Sequence, residues 1–278
     1  MRLLLSGSQP SLSPDGTQLA YTVYKTKARP STDITVRILN LKTGRIKSLP
    51  GLRAHTACCA QWSPDERRLL LSVFDEEVTT DSWHIALVDM LTGSLRILPR
   101  VAGCEYLSSW GPEGRSILCA DLDSMVELDM GGKVLRRIAV RKRIGPYYLS
   151  SASRFSFSGD RKYLLFNAER WEERAGDEPF GPEGVFLWDF GTDKLSLLSP
   201  KELSAFAAQW LPSGHEVLFA AVRRDTFEPS LQRVRILDKV VTVVATNATE
   251  ATYSPTAAAA PTGTPSVSLQ GKRSLRGL

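Results

Sequence analysis

Histidine is scarce in this sequence, with only His55, His84 and His215 among 278 residues. A structural zinc site takes four nitrogen or sulfur ligands from closely spaced pairs, and no CxxC pair occurs here. Asp121 and Asp123 form an isolated DxD, which is far short of a calcium-binding loop. No metal site and no cofactor is therefore predicted.

Cysteine is also sparse, and its four copies are spread over two regions: Cys58, Cys59, Cys104 and Cys119. Thiols of this kind are among the most frequently buried side chains, so we expect them to lie reduced inside strands. Because successive side chains of a strand point to opposite faces, Cys58 and Cys59 are expected not to share one site.

Long hydrophobic runs are missing as well. The first residues, MRLLLSGSQP, contain three consecutive leucines, whereas a secretory signal needs about 7–15 apolar residues and a membrane span about 18. The sequence as given thus predicts no membrane span and a cytoplasmic location. A periplasmic location is the alternative if the native N-terminus differs from the given one.

Familiar catalytic signatures are missing too: there is no GxSxG, HExxH, P-loop or GxGxxG stretch. The interpretation leans towards a protein that is not an enzyme. A catalytic site assembled from distant parts of the chain would leave no local motif, so that alternative stays open.

What the sequence does contain is a repeat. Five segments share one pattern, and they are QPSLSPDGTQLAYTV (9–23), AQWSPDERRLLLSVF (60–74), SSWGPEGRSILCADL (108–122), SRFSFSGDRKYLLFNA (153–168) and AAQWLPSGHEVLFAAV (207–222). Equivalent turn positions are 50, 48, 47 and 53 residues apart. Periods of about 40–50 residues are typical of propeller blades.

Each copy has the same order of features. A short strand ends in an apolar residue, a tight turn rich in Pro, Asp and Gly follows, and an apolar run typical of a strand buried on both faces leaves the turn. A second hairpin completes the unit, as in ITVRILNL, a Lys42–Gly44 turn and RIKSLP. Four local antiparallel strands per repeat predict an all-β fold, a propeller of four-stranded blades.

The segments Ser13-Pro14-Asp15-Gly16 and Trp62-Ser63-Pro64-Asp65, with the Asp89…Thr92-Gly93 hairpin, resemble the WD-like repeats of the TolB-type β-propeller family. The resemblance covers nearly all of residues 2–245. It implies a non-enzymatic scaffold, expected to be a monomer, that binds a protein or peptide through its loop face and central funnel. The alternative is the propeller part of a hydrolase or lyase, either the substrate gate of a prolyl-oligopeptidase-like peptidase or a polysaccharide lyase.

The two ends raise the question of a sixth blade, because the family usually closes with six or more. MRLLLSG resembles a fourth strand, and Ala251–Pro255 resembles a degraded copy of the turn. The rest of the C-terminal segment is rich in Ala, Pro, Thr and Ser, a composition typical of disorder. We predict a propeller over residues 1–245, with five complete blades and an incomplete sixth, and a disordered tail over residues 246–278.

Two candidate binding regions follow. Connections between the second and third strands differ in length, and the longest is Glu169–Gly184. Long loops on a rigid scaffold often bind partners. The predicted contacts are Trp171, Phe180, Arg170 and Arg174. An uncommitted solvated insertion is the alternative interpretation.

The second region is a basic run on the outer strand of the third blade. Its candidate contacts for an anionic partner are Lys133, Arg136, Arg141, Lys142 and Arg143. A solvated strand face explains the same pattern. The formal net charge is +5 for the chain, which is too small to predict nucleic acid as a partner.

Overall fold

The computed structural model describes residues 7–24, 34–52, 55–75, 82–104, 106–170 and 182–248. Within them the chain forms five four-stranded antiparallel blades arranged as a propeller ring. No α-helix occurs in the described ranges, where the helical segments are three 3₁₀ turns at Pro50–Leu52, Pro112–Gly114 and Arg141–Arg143. The predicted all-β propeller fold is confirmed.

Each blade is a local meander whose first strand is innermost and whose last strand is outermost. Blade 1 consists of β1 (Ser8–Leu12), β2 (Gln18–Tyr24), β3 (Ile34–Asn40) and β4 (Ile46–Ser48), and blade 2 consists of β5 (Thr56–Trp62), β6 (Arg68–Asp75), β7 (Ser82–Asp89) and β8 (Leu95–Ile97). Blade 3 consists of β9 (Ser109–Trp110), β10 (Ile117–Ala120), β11 (Ser124–Leu128) and β12 (Val134–Ala139). Blade 4 consists of β13 (Tyr147–Tyr148), β14 (Phe155–Phe157), β15 (Tyr163–Arg170), β16 (Glu183–Asp189) and β17 (Lys194–Leu197), and blade 5 consists of β18 (Leu203–Trp210), β19 (Glu216–Arg223), β20 (Pro229–Arg235) and β21 (Val241–Thr246). Blade 4 has its inner strand in two pieces, β13 and β14, which both pair with β15.

The second strand of each blade is buried on both faces, as its sequence predicts. In β6, Leu69 and Leu71 belong to the hydrophobic cluster shared with blade 1, whereas Leu70 belongs to the cluster shared with blade 3. Alternate side chains of one strand thus enter two different inter-blade cores. Burial of this apolar surface stabilises the ring at every described junction.

The turn residues of the repeat hold the first hairpin of each blade. In blade 2 the Ser63 hydroxyl donates to Asp65 Oδ1 at 2.5 Å and accepts the Arg68 N–H at 2.9 Å. Ser13 with Asp15 and Ser158 with Asp160 form the same arrangement. The side chains therefore satisfy backbone groups that the tight turn leaves without partners, which explains why the Ser-x-Asp pattern recurs.

Tryptophan indoles join neighbouring blades. Trp62 Nε1 donates to the Ser11 carbonyl at 3.1 Å, and Trp110 Nε1 donates to the Gln61 carbonyl at 3.1 Å. Trp210 makes the equivalent bond to Ser156 at 2.9 Å. Each indole closes the inner strand of its own blade and binds the inner strand of the preceding blade. These bonds fix the spacing of the strands around the propeller axis.

The two ends of the described ring keep separate cores. The outward face of blade 1 packs Leu19, Tyr21 and Leu39 into one cluster, and the outward face of blade 5 packs Leu218 and Leu231 into another. No sixth blade occurs within the described residues. The segments that suggested one, residues 1–6 and Ala251–Pro255, lie outside those residues, as does the predicted tail from residue 249 onward.

Two expectations from the sequence are wrong. The predicted loop Glu169–Gly184 is too long at both ends, because Glu169 pairs with Glu183 at the end of the β15–β16 ladder. The Arg170 N–H then donates to the Pro182 carbonyl at 2.7 Å. Backbone hydrogen bonds therefore extend the β15–β16 ladder past the predicted strand ends.

The cysteines are the second correction, since they are paired as Cys58–Cys59 and Cys104–Cys119 rather than reduced. Cys59 has a φ of +66° and the β5–β6 register shifts between Cys58 and Gln61. This β-bulge interrupts the alternation of the strand, so the two neighbouring sulfurs meet instead of pointing to opposite faces. Cys104 and Cys119 tie the segment before β9 to β10, with their Cα atoms 5.2 Å apart.

Candidate functional site

A cavity of about 470 Å³ lies where the inner strands of the five blades converge. Its lining includes residues from β1, β5, β14 and β18, together with Ser109 of β9. The first residue of β16, Glu183, also lines it. Because every blade contributes, the cavity marks the propeller axis, and we call it the axial cavity.

One ring of repeat-equivalent residues lines the axial cavity. Its members immediately precede the apolar residue that closes each inner strand, and they are Ser11, Gln61, Ser109, Ser156 and Gln209. All five are uncharged and carry a hydroxyl or amide group that can both donate and accept hydrogen bonds. We call this set the polar ring. Three of its members also bond within the protein, since Gln61 Nε2 donates to the Ser108 carbonyl, Ser11 Oγ accepts the Trp62 N–H and Ser109 Oγ accepts the Phe155 N–H. Each of these groups keeps a further donor or acceptor, so the polar ring presents uncharged hydrogen-bonding groups from all five blades.

A second ring consists of the residues two positions before the polar ring along the chain. Its members are Gln9, Cys59, Leu107, Arg154 and Ala207, and all except Cys59 line the axial cavity. Gln9, Cys59 and Ala207 have φ values of +52°, +66° and +52°. In each of these strands the register shifts next to the positive-φ residue. A recurrent β-bulge therefore re-aims this position, and we call the set the bulge ring.

Hydrogen bonds connect the bulges of blades 1 and 2. The Cys59 N–H donates to Thr22 Oγ1 at 3.2 Å, and Thr22 Oγ1 donates to Gln9 Oε1 at 3.0 Å. Thr22 is fully buried. The amide of Gln9 is thus held by Thr22 of its own blade, and because the same hydroxyl accepts the Cys59 N–H of blade 2, the two bulges are linked.

Tyr106 stands beside these bulges on the blade 3 side. Its hydroxyl oxygen lies 3.9 Å from Cys59 Sγ. Burial raises the pKa of Tyr106, and the charge of Tyr24 acts in the same direction. The positive charge of Arg154 and a hydrogen bond with Gln9 act the other way. Arg154 of blade 4 is therefore close enough for its positive charge to act on Tyr106, which precedes the first strand of blade 3.

Blade 4 departs from the repeat. Residues 149–154 interrupt its inner strand between β13 and β14, opposite Asn167 and Ala168 of β15. At the interruption the Arg154 N–H donates to the side-chain oxygen of Asn167 at 2.7 Å instead of to a strand carbonyl. The Asn167 side chain is turned towards the inner strand by this bond, and it lines the axial cavity.

Glu183 completes this wall of the cavity. Its Oε2 accepts a hydrogen bond from Asn167 Nδ2, and its backbone N–H donates to Ser204 Oγ of blade 5 at 3.0 Å. Burial raises the pKa of the Glu183 carboxyl to about 7, the Asn167 bond opposes this, and the charge of Glu169 adds to it. Among the described residues lining the axial cavity, Arg154 and Glu183 are the only charged ones.

The predicted loop contacts are only partly within the described residues. Arg170 is the last residue of β15 and is half-buried. Trp171, Arg174 and Phe180 lie outside the described residues, so their role stays a prediction. The structure does place the two ends of their segment, at Arg170 and Pro182, beside the cavity residue Glu183.

The predicted basic patch is divided by pairing within the protein. Arg136 Nε donates to Glu127 at 2.6 Å, and Arg143 pairs with Asp193 at 2.8 Å while its guanidinium lies 4.6 Å above the Trp188 ring. Arg141 donates to the backbone carbonyls of residues 145 and 147. Lys133 and Lys142 are exposed. Anion binding by this patch stays a prediction.

Glu183, Asn167 and Arg154 were not among the site residues predicted from the sequence. Arg154 could have been found, because aligning the five copies on their closing apolar residue makes it the single charged member of the bulge ring. Glu183 and Asn167 reach the cavity from β16 and β15. Their approach depends on the interruption of the inner strand, for which the repeat gives no signal.

In the described part of the chain, no group of three or more His, Cys, Asp or Glu side chains is placed to hold a metal ion. None of the described helices has the length and apolar character to cross a membrane.

Comparison with known proteins supports the fold. No protein-family model matches the sequence, and no curated protein is significantly similar to it. Among solved structures, TolB from Acinetobacter baumannii is 18% identical with a TM-score of 0.62, covering 86% of this chain and 55% of that one. This chain thus spans about half the length of that TolB.

Two further structures show the same architecture. A putative TolB from Agrobacterium tumefaciens is 17% identical with a TM-score of 0.59, covering 85% of this chain and 79% of that one. The β-propeller domain of the Trilobed protease from Pyrococcus furiosus is 16% identical with a TM-score of 0.52, covering 89% and 74%. At these identities the likeness concerns the fold alone. The chain has the fold of the TolB-type β-propellers.

Proposed function

We propose that this protein is a non-enzymatic binding propeller that takes a segment of a protein or peptide into its axial cavity. The observation that supports this most strongly is the polar ring. A peptide backbone alternates N–H donors and C=O acceptors, and hydroxyl and amide groups can satisfy both. The cavity volume of about 470 Å³ lies within the usual range for ligand pockets, about 300–1,000 Å³.

The rigidity of the cavity wall also supports binding. Indole bonds fix the inner strands, and the Thr22 hydroxyl links two bulges. A site whose groups are held before the ligand arrives loses less conformational entropy on binding. Trp171 and Phe180 are proposed as additional anchors, because the described ends of their segment, Arg170 and Pro182, adjoin the cavity residue Glu183 and aromatic residues are frequent hot spots.

The experiment uses a peptide library displayed on phage and selected against the wild-type protein. Gln209→Trp places a large side chain in the axial cavity, and Leu237→Trp is the matched control at a hairpin residue that is 91% exposed. We expect selected peptides to bind at least about tenfold more weakly to Gln209→Trp, a difference of about 1.4 kcal/mol. Equal binding to both variants would contradict the proposal.

The propeller part of a hydrolase or lyase is the second candidate. The observation in its favour is the similarity to the propeller domain of a protease. In that case the axial cavity would be a passage or a substrate site rather than a terminal binding site. Hydrolysis or elimination by the purified protein, lost in the Gln209→Trp variant, would favour this candidate over a scaffold.

The disulfides bear on where the protein works. Disulfides persist in oxidising compartments and are rare in the reducing cytosol. The pairs Cys58–Cys59 and Cys104–Cys119 therefore favour a periplasmic or other oxidising location over the cytoplasmic one expected from the sequence. Alkylation of intact cells with a thiol reagent, followed by mass spectrometry, would label none of the four cysteines in an oxidising compartment.

A further inference from the structure

We propose that Glu183 binds a positively charged group of the ligand, a lysine or arginine side chain or an amino terminus, in the blade 4 wall of the axial cavity. This inference rests on the proposed binding of a protein or peptide segment in the cavity and names the chemistry of one contact. Three features of the structure carry it: the position of the carboxyl, the support behind it, and the charges around it.

The position is suited to contact with a ligand. Glu183 lines the axial cavity at the start of β16, where the long β15–β16 connection ends. Its Oε2 is occupied by Asn167, but Oε1 has no hydrogen-bond partner among the described residues. Glu183 is only partly buried, so this oxygen can be reached from the cavity and can accept a hydrogen bond from a donor supplied by a ligand.

The support behind Glu183 fixes its orientation. Ser204 Oγ of blade 5 accepts its backbone N–H at 3.0 Å, and Asn167 donates to its side chain. Asn167 is itself 6% exposed and is anchored by the Arg154 N–H at 2.7 Å. The backbone of residue 183 is thus held by blade 5 and its carboxyl by Asn167 of its own blade, so the side chain has a fixed orientation towards a ligand.

The charges around Glu183 favour a cation. Glu169 faces it across the β15–β16 ladder, and the Tyr148 hydroxyl of β13 donates to Glu169 Oε2 at 2.7 Å. Arg170 follows Glu169 in β15, and the charge of Arg154 acts on Tyr106. Blade 5 presents Ser204 and the cavity residues Phe206–Gln209, none of which is charged. No lysine or arginine among the described residues forms an ion pair with Glu183, so a cation from the ligand would complete the site.

This pairing makes ligand binding depend on pH. Burial raises the pKa of Glu183 to about 7, and a bound cation stabilises the ionised carboxyl. Above pH 7 the carboxyl is already ionised and the affinity reaches a plateau. Below pH 7 a proton must leave before the cation binds, so the affinity falls by up to about tenfold per pH unit. A ligand that only accepts hydrogen bonds from a protonated Glu183 would show the opposite trend.

The test measures fluorescence anisotropy with three labelled, N-acetylated Gly-Ser peptides that carry one central Lys, Gln or Glu. Titrations run from pH 5.5 to 8.5 with wild type, Glu183→Gln and the control Glu216→Gln, whose carboxyl pairs with Arg233. At pH 8 we expect the Lys peptide to bind wild type at least about tenfold more tightly than the Gln peptide. In wild type this preference for the Lys peptide should decrease as the pH is lowered below 7. It should vanish in Glu183→Gln and persist in Glu216→Gln.

Three other outcomes overturn the inference. Equal binding of all three peptides, abolished by Gln209→Trp, would leave the proposed function standing and reject the role of Glu183. A preference for Lys that persists in Glu183→Gln would assign the cation to another residue. The absence of binding by any peptide at millimolar concentration and any pH would reject both the contact and the proposed function. Thermal melts of each variant confirm that the comparison is made between folded proteins.

Discussion

Blades 2 and 4 share the repeat and differ where they meet the axis. In blade 2 the inner strand β5 is continuous except for the bulge at Cys59, and Trp62 joins it to blade 1. In blade 4 the inner strand is split by residues 149–154 and closes with Phe157, which has no indole donor. Blade 4 also contributes Arg154 and Glu183, the two charged residues among the described ones that line the axial cavity. The regular repeats form the propeller ring, and the irregular inner strand of blade 4 brings charged side chains to the axial cavity.

The physical reason lies in the backbone hydrogen bonds of the inner strand. A continuous strand uses its N–H and C=O groups in the ladder, so its neighbours can be apolar. When the ladder is interrupted, a buried N–H needs a side-chain acceptor. Asn167 supplies that acceptor to Arg154 and at the same time donates to Glu183. The polar wall of the cavity is therefore a consequence of the broken strand.

The largest effect on stability is expected when the junction between blades 1 and 2 is disrupted. Trp62→Ala removes a side chain that is 7% exposed and its bond to Ser11, and we expect a loss of about 3–5 kcal/mol in the free energy of unfolding. Phe157→Ala in blade 4 should lose less, because Phe157 is only half-buried. Chemical denaturation measures both. An equal loss would show that the two inner strands contribute alike to the ring.

Removal of the two disulfides should lower the free energy of unfolding by different amounts. Cys104→Ala/Cys119→Ala opens a loop closed over a separation of 15 residues and is expected to lose about 2–4 kcal/mol. Cys58→Ala/Cys59→Ala opens no such loop, because the residues are adjacent, and should lose about 1 kcal/mol or less. Unfolding under non-reducing conditions gives both values. The reverse order would mean that the bulge depends on its disulfide.

The bulges of Gln9 and Ala207 give a reason to expect the smaller effect at Cys58–Cys59. Both residues adopt the same positive φ in blades 1 and 5 without any cysteine. The bulge is therefore a property of the repeat, and the disulfide is an addition to it.

The free energy of unfolding of the protein should depend on pH through Glu183 of blade 4. Its pKa is about 7 in the folded protein against 4.5 in a model compound, so between these values the folded state binds more protons than the unfolded state. Stability therefore falls as pH rises from about 4.5 to 7 and then levels off. We expect this fall to be about 1–3 kcal/mol smaller in Glu183→Gln. Parallel pH profiles of the two proteins would contradict this expectation.

The smallest effect concerns the turns, where the two blades are alike. Ser63→Ala and Ser158→Ala each remove a buried hydroxyl that bridges an aspartate and a backbone N–H. Each should lose about 0.5–1.5 kcal/mol. The same denaturation experiments measure the pair. A difference of more than about 1 kcal/mol between them would show that the break in blade 4 also weakens its first hairpin.

The sequence predicted most of the fold because the repeat is written in residues with local roles. The Ser-x-Asp turns and the closing tryptophans recur at fixed spacing, and each acts within a few residues or on the adjacent blade. The bulge at Cys59 was not predictable in this way. Strand alternation placed the two neighbouring sulfurs on opposite faces, and only a positive φ at a non-glycine residue brings them together.

The candidate site was predictable only in part. The length of the connection predicted a binding region at residues 169–184. Glu183, near the end of that segment, does line the cavity. The aromatic residues chosen there were selected for their chemistry, whereas Glu183 matters because of the register Glu169↔Glu183 and the contact with blade 5. Such contacts join strands from two blades, and spacing along the chain does not specify them.

A ¹³C NMR titration of the Glu183 carboxyl tests whether the broken strand of blade 4 places a titrating carboxyl in the axial cavity. Spectra of ¹³C-glutamate-labelled protein, with Glu183→Gln used to assign the signal, give its midpoint. We expect a midpoint of about pH 7 that moves lower when the Lys peptide binds. A midpoint near the ordinary glutamate value of about 4.3, unchanged by the peptide, would contradict it.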